Sequence, residues 1–530
     1  ADDWQADDTR NILRNNVLSG LKPGDRVSDP NYDGVNVFGD EASASMQAFA
    51  QAVQAQTRAG LLNASGGLYD LNTIFNLLPA NATPAQVGAF IAAQPAPFRA
   101  AVQNAVPFNL GMRNNIFGGQ MVSRQGYDER DLVDYKTFNL KLTGGLYYKI
   151  NNNTEASLQA YYGTGTTVYT GSDRYSLKNL MLGQYKLEVK SKNWFARAYT
   201  TQENSGDSYT ATTAAVAINA AWKANVTWFQ QYTGTYAAGK LGLLPTAPGV
   251  LLPDARAHGA ARTVAESGRF LPGSQQYIDA FQKAINTPIS QGGAKFADKT
   301  NLYHVEGQYN FTDAIKFAEV LVGASYRVYH LNSAGTIFAD TAGPINISEV
   351  GAYLQVSKKV FNDVVKLTAS GRYDKNENFN GRFTPRFSAL VKVAPNNNIR
   401  LSYQTAYRFP SSQDQLINLQ TPSARLIGGL PVFNTFFKFD TSPAYTAESI
   451  VAYRNSVGAG LPNPALLQKA PFSDLKPETV QSYEIGYRGL IEKKLLIDVY
   501  AYMSKYNDFI ARVAVGRGQS AIAANAPVEL

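Results

Sequence analysis

Along "VKLTASGRYDK", Val365 to Lys375, apolar and polar positions alternate without a slip. Val365, Leu367, Ala369, Gly371 and Tyr373 share one parity; Lys366, Thr368, Ser370, Arg372 and Asp374 share the other. A strand sends successive side chains to opposite faces, so the segment has one oily side and one ionic side. The pattern recurs in "NIRLSYQTAYRF", "TFNLKLTGGLYY", "EVLVGASYRVYH" and "EASLQAYYG". It predicts about twelve strands, at 132–150, 154–169, 174–191, 194–203, 300–311, 315–332, 345–360, 363–376, 380–394, 398–409, 478–490 and 495–512.

Every second connection is tight and polar: "NNNT" at 151–154, "SKN" at 191–193, "NFTDA" at 310–314, "FND" at 361–363, "APNNN" at 394–398 and "EKK" at 492–494. These are hairpin-turn residues. The intervening connections vary in length, and two are very long, at 204–299 and 410–477. Such alternation places all the short turns at one end of a sheet and the long loops at the other, the plan of an outer-membrane barrel. The long segments carry helical stripes: Met46, Phe49, Ala50 and Val53 in one, and Ile278, Phe281 and Ile285 in another. Such stripes are expected to pack the loops on one another. The apolar run at 210–232 is a candidate to fold over the barrel mouth.

Amphipathic strands fit a soluble sandwich with its oily face inward, or a barrel in lipid with that face outward. Several strands alternate for 12–18 residues, long for a sandwich and sufficient for a tilted membrane crossing. Charges at strand centres, such as Arg372 and Glu484, suit a wet or plugged lumen. The fold class expected is therefore all-β, a transmembrane antiparallel up-and-down barrel with long external loops containing short helices. Its expected divisions are a loop region with helical pieces at 1–131, barrel strands at 132–512 and the start of a further external loop at 513–530.

Composition agrees. The 530 residues are 12% aromatic and 17% charged, and no run of 18 apolar residues suggests a membrane helix. There is no cysteine, hence no disulfide or thiolate metal site. The net charge of +8 is dispersed, with no basic run of the kind that grips nucleic acid. His258, His304 and His330 lack a ligand-spaced partner and read as incidental polar residues. "GTGTTV" at 163–168 lacks the third glycine of a phosphate loop. Nothing supports an enzyme, a cofactor or a metal.

One hairpin is more specific. "LKPETVQSYEIGYRG" at 475–489, followed by "LLIDVYAYMSKYNDFI" at 495–510, resembles a hairpin of the TonB-dependent outer-membrane receptors. The matching positions are Leu475, Lys476, Pro477, Glu478, Tyr483, Glu484, Gly486, Tyr487, Asp498, Tyr506, Asp508 and Ile510. Segments 123–135, 174–179, 186–209, 333–340 and 401–415 look like the Bacteroidetes branch of that family. The resemblance implies active uptake of a siderophore, glycan, peptide or vitamin through a plugged barrel of about 22 strands. It implies outer-membrane lipid, the TonB energy complex, a small-molecule or oligomeric ligand and a surface lipoprotein as partners. The energy complex would act through a plug outside this chain. The chain is accordingly expected to be an internal piece of the barrel, with open edges at 132–150 and 495–512. Parity and closeness to the long loops nominate Arg174, Arg327 and Arg408 as ligand-binding, with a lumenal salt bridge as the simpler role for each. The alternatives are a passive porin or structural barrel that never couples to TonB, and an adhesin or phage receptor working through the loops.

Overall fold

The computed structural model describes residues 29–517 apart from 33, 35, 172, 422–423 and 459–462, together with the short strands at 13–14, 17–18 and 528–529. Its main feature is a single antiparallel meander of twelve long strands. These are β1 (Phe138–Asn151), β2 (Thr154–Thr170), β3 (Arg174–Lys190), β4 (Trp194–Asn204), β5 (Asn301–Asn310) and β6 (Glu319–Leu331), then β7 (Ile345–Val360), β8 (Val365–Asn376), β9 (Arg382–Ala394), β10 (Asn397–Arg408), β11 (Glu478–Ile491) and β12 (Leu495–Asn507). Each strand pairs with its sequence neighbours, and the sheet does not close, leaving β1 and β12 at its edges. All twelve expected strands are present.

Three strand ends differ from expectation, each for a local reason. β1 starts at Phe138 because Glu129–Leu132 forms a helical turn. β6 starts at Glu319 because Phe311–Asp313 coils into a 3₁₀ turn capped by Asn310. β12 stops at Asn507 because Asp508 turns left-handed, with φ 57°, and the Ile510 amide is drawn to the Glu478 carboxylate.

The six expected short turns all lie at one end of the sheet. At "FND" the chain reverses through three consecutive left-handed residues, Phe361, Asn362 and Asp363. Two connections at the opposite end, 171–173 and 377–381, are also short. Among the described residues no helix is long and apolar enough to cross a membrane.

The apolar parity stays uncovered. Leu367 and Tyr373 of β8 are 47% and 48% exposed, and Leu354, Leu401 and Ile485 on neighbouring strands are exposed too. Phe387, Tyr403 and Tyr483 form an aromatic ladder across β9, β10 and β11 on this face, with ring centroids 6.5 and 5.0 Å apart.

The long segments behave oppositely. α1 (Met46–Ala64), α2 (Leu71–Phe75), α3 (Pro84–Ala92) and α4 (Arg99–Arg113) precede the sheet. α5 (Ala211–Trp222), α6 (Asn225–Lys240), α7 (Asp254–Ala265) and α8 (Gln275–Asn286) fill the β4–β5 loop. Their starts are written in the sequence: Ser45, Thr210 and Ser274 cap α1, α5 and α8, and Thr83 with Gln86 makes a capping box on α3. The two groups share one core, in which Met46, Phe49 and Phe108 meet Trp228, Phe229 and Tyr232. The Arg124 guanidinium, fully buried, joins them by donating to the carbonyls of Asn219 and Lys223 and to Asn225. The Met46–Val53 stripe therefore packs loop on loop, as do Phe281 and Ile285 against Tyr209 and Ala214, whereas Ile278 is exposed; the 210–232 run is two helices broken at Lys223–Ala224. This helical lobe is fastened to the loop end of β3, where Tyr209–Thr210 pair with Tyr175–Ser176.

Candidate functional site

The polar parity carries a chain of ionic contacts across the strands. Glu188 of β3 faces Arg197 of β4 at 3.5 Å, and Arg197 pairs with Glu306 of β5. His304 stands 3.7 Å from Glu306 and accepts at Nδ1 from the Arg327 Nε of β6, 3.3 Å away. Arg327 lies 3.5 Å from Glu349 of β7, which accepts from Asn376 of β8. Strand register makes this possible, since Arg197↔Glu306, His304↔Arg327 and Arg327↔Glu349 are directly opposed pairs.

Near the loop end this face opens into a pocket of 740 Å³, lined by Arg327, Tyr329, Glu349, Arg372 and Asp374 among others. Arg372 holds Asp374 with two donors, at 2.7 and 2.5 Å, and its guanidinium lies 5.8 Å from the Tyr353 ring. Gly351 creates the space. A Cβ there would overlap the Asp374 carboxylate and the Arg372 guanidinium. The roof comes from the β10–β11 loop. A capping box between Ser411 and Asp414 starts the helical turn α9 (Ser412–Leu416), which brings Gln413 and Gln415 to the pocket. That loop is itself packed, with Leu416, Phe433 and Phe437 meeting Phe338 and Leu331.

The three nominated arginines do not converge. Arg327 lines the pocket. Arg174 is 2.7 Å from Glu129, whose side chain is fully buried and also accepts from the Tyr135 hydroxyl. Arg408 is 2.8 Å from Glu478, outside the pocket lining. Sequence parity identified the polar face but not the register, so Glu349, Gly351 and the roof glutamines were not nominated. His304, read as incidental, stands in the ionic chain and lines the pocket. His258 lies in the lobe core, and His330 meets Asn346 at the strand ends. Among the described residues no group of three or more acidic or histidine side chains is arranged to hold a metal.

The hairpin motif also acquires a physical reading. Arg400 stands 3.5 Å from Glu484 and 2.9 Å from Asp498, and a Cβ on Gly486 would come within 2.8 Å of its Nε. Glu478 accepts from Arg408 on one oxygen and from the Ile510 amide on the other, tying "LKPE" to the end of "YNDFI". The motif is thus a register lock for β10, β11 and β12.

The family model described as "TonB dependent receptor-like, beta-barrel" matches residues 219–527, more than half of the chain. The chain belongs to the TonB-dependent receptor family. The family consists of outer-membrane β-barrel receptors, which are not enzymes. Solved structures to which the chain shows some similarity include the siderophore receptor PirA from Pseudomonas aeruginosa, at 10% identity, 74% of this chain, 50% of that one and a TM-score of 0.40. The alcaligin outer-membrane receptor FauA from Bordetella pertussis gives 10%, 70%, 44% and 0.33. The hemophore receptor HasR of Serratia marcescens, in complex with its hemophore HasA and heme, gives 10%, 71%, 46% and 0.37. At these scores the likenesses add nothing to the assignment, which rests on the family match. The receptor chain spans about half the length of the solved structures it matches. No curated protein matches it.

Proposed function

We propose that the receptor imports a scarce solute across the bacterial outer membrane with TonB-delivered energy, and that the solute contacts the lumenal pocket around Arg327 and Arg372. On this reading the helical lobe and the β10–β11 loop lie outside the cell and the short turns lie in the periplasm. The observation that carries it is the pocket itself. It combines two guanidinium groups, two carboxylates and the hydroxyls of Tyr329 and Tyr407, directly beneath a packed loop. Arg174 and Arg408, held by Glu129 and Glu478, would act as supports.

Ferric siderophores and heme are the first probes. In cells carrying the full receptor, radioiron uptake from such a chelate should stop when the proton gradient is collapsed, and Arg327→Ala with Arg372→Ala should abolish it at unchanged surface level. Uptake that continues after the gradient is lost points to a passive porin. The size of the helical lobe favours one second reading, an adhesin or phage receptor, for which cells or phage would bind with no solute uptake.

A further inference from the structure

The short-turn end of the sheet is strongly basic. Within the turns and the three strand residues on either side of each lie ten lysines and six carboxylates, a net +4 out of the chain's +8. Three of the lysines are neutralised: Lys192 by Asp313, Lys359 by Asp363 and Lys366 by Glu319. Lys316, Lys358, Lys493 and Lys494 are exposed and make no ion pair among the described residues. Lys358 shares the apolar parity, opposite Leu367, and its ammonium lies 5.7 Å from the ring of Phe317.

A second feature says what these cations face. Tyr148, Trp194, Tyr309, Phe317 and Phe361 are exposed at the same end. The register pairs Trp194 with Tyr309 and Tyr309 with the exposed Val322, which puts both rings on the apolar face. A second set, Phe138, Tyr303, Tyr326, Tyr373 and Phe383, is exposed toward the loop end. From Phe138 to Tyr148 is about 33 Å of strand, or about 25 Å across a membrane at the usual barrel tilt. Aromatic rings gather where acyl chains give way to headgroups. Lysines just beyond them sit among the headgroups, with their stems along the apolar boundary.

We propose that this rim binds anionic phospholipid headgroups of the periplasmic leaflet through Lys316, Lys358, Lys493 and Lys494. The lysine phosphate contacts hold the open-ended turns at a fixed depth. A soluble polyanion would account for the charge but not for the ring of exposed aromatics beneath it. The inference rests on the membrane reading above.

The test is quenching of Trp194 fluorescence in the full receptor, reconstituted in bilayers containing brominated phosphatidylglycerol or brominated phosphatidylcholine at equal mole fraction. Trp222 and Trp228 lie in the helical lobe, and Trp4 and any tryptophan of the receptor outside this chain are replaced by Phe, so that Trp194 is the lipid-facing reporter. One lysine beside an anionic surface enriches lipid by about fivefold, so phosphatidylglycerol should quench several times more efficiently. Lys316→Gln, Lys358→Gln, Lys493→Gln and Lys494→Gln together should erase the difference, and so should high salt. Lys178→Gln, Lys283→Gln and Lys299→Gln, at the loop end, should leave it. An unchanged thermal unfolding midpoint shows that the variants fold. Equal quenching by the two lipids in the unaltered receptor, or a preference that survives the four rim changes, overturns the rim proposal alone. Quenching by neither lipid overturns the membrane reading with it.

Discussion

The helical lobe and the strand sheet solve opposite problems with similar residues. In the lobe, Trp228 is 0% exposed and its neighbours Tyr232 and Phe229 are buried as completely. On the sheet, Ile485 is 55% exposed and sits in a continuous apolar surface with Tyr483 and Leu401. A water-soluble protein hides such a surface inside; the sheet hides ionic chains there and turns its oil outward. On the proposed reading the lobe is built for water and the sheet for lipid.

The sharpest way to break the contrast is to damage the lobe alone. Trp228→Ala should cost the lobe about 3–5 kcal/mol. Hydrogen exchange should then rise in α1, α4, α6 and α7 while the strands stay protected. Equal loss of protection in both would mean they share one cooperative unit.

Next in size is a pair of adjacent residues on opposite faces of β11. Ile485→Arg should cost about 2–4 kcal/mol in a bilayer. Glu484→Gln, which loses a half-exposed pair with Arg400, should cost about 1 kcal/mol or less. Denaturant unfolding of the reconstituted receptor reads both. A tolerated Ile485→Arg would place water on that face.

Acid should separate the regions as well. The His258 imidazole is buried, and burial pushes its pKa from 6.5 down to about 4, against the favourable charge of Asp254 and with help from Arg262 and Lys240. Neutral His258 accepts from the Tyr232 hydroxyl at 3.0 Å and donates to Gln120 at 3.2 Å. A folded-state pKa below the unfolded value means the unfolded lobe binds more protons. Stability is then full above pH 6.5 and falls as pH drops toward 4, by on the order of 2–3 kcal/mol. Melting of the lobe across that window should show it, and His258→Gln should flatten the slope.

A comparably small effect on stability is expected at the pocket. Gly351→Ala must displace Arg372 or Asp374 and should cost about 1 kcal/mol of stability. Chelate binding should weaken more than it does in Gly144→Ala, where a Cβ meets open space.

The strands were legible because period-two alternation and turn residues are local signals. Asn396, Glu492 and Lys493 adopt the left-handed conformations that their hairpins need. The helices were legible as stripes, but not their partners, since the lobe joins segments far apart in the chain through contacts such as Arg124 with Lys223. The site was the least legible part. Alternation tells which face a residue takes, while register decides what it meets. Arg174, Arg327 and Arg408 have the same residue type and lie near the same end of the sheet, yet only Arg327 borders the pocket. The other two end on Glu129, before the sheet, and on Glu478, after a loop of some seventy residues.

The central claim is that the apolar parity meets lipid and the polar parity meets water. In a full receptor freed of any cysteine outside this chain, which itself has none, single cysteines can be placed and spin-labelled at each position from 366 to 374 in bilayers. Collision with oxygen, which concentrates in lipid, should peak at 367, 369, 371 and 373. Collision with a water-soluble nickel complex should peak at 366, 368, 370 and 372. The reverse phase, or no alternation along β8, would contradict a lipid-facing sheet.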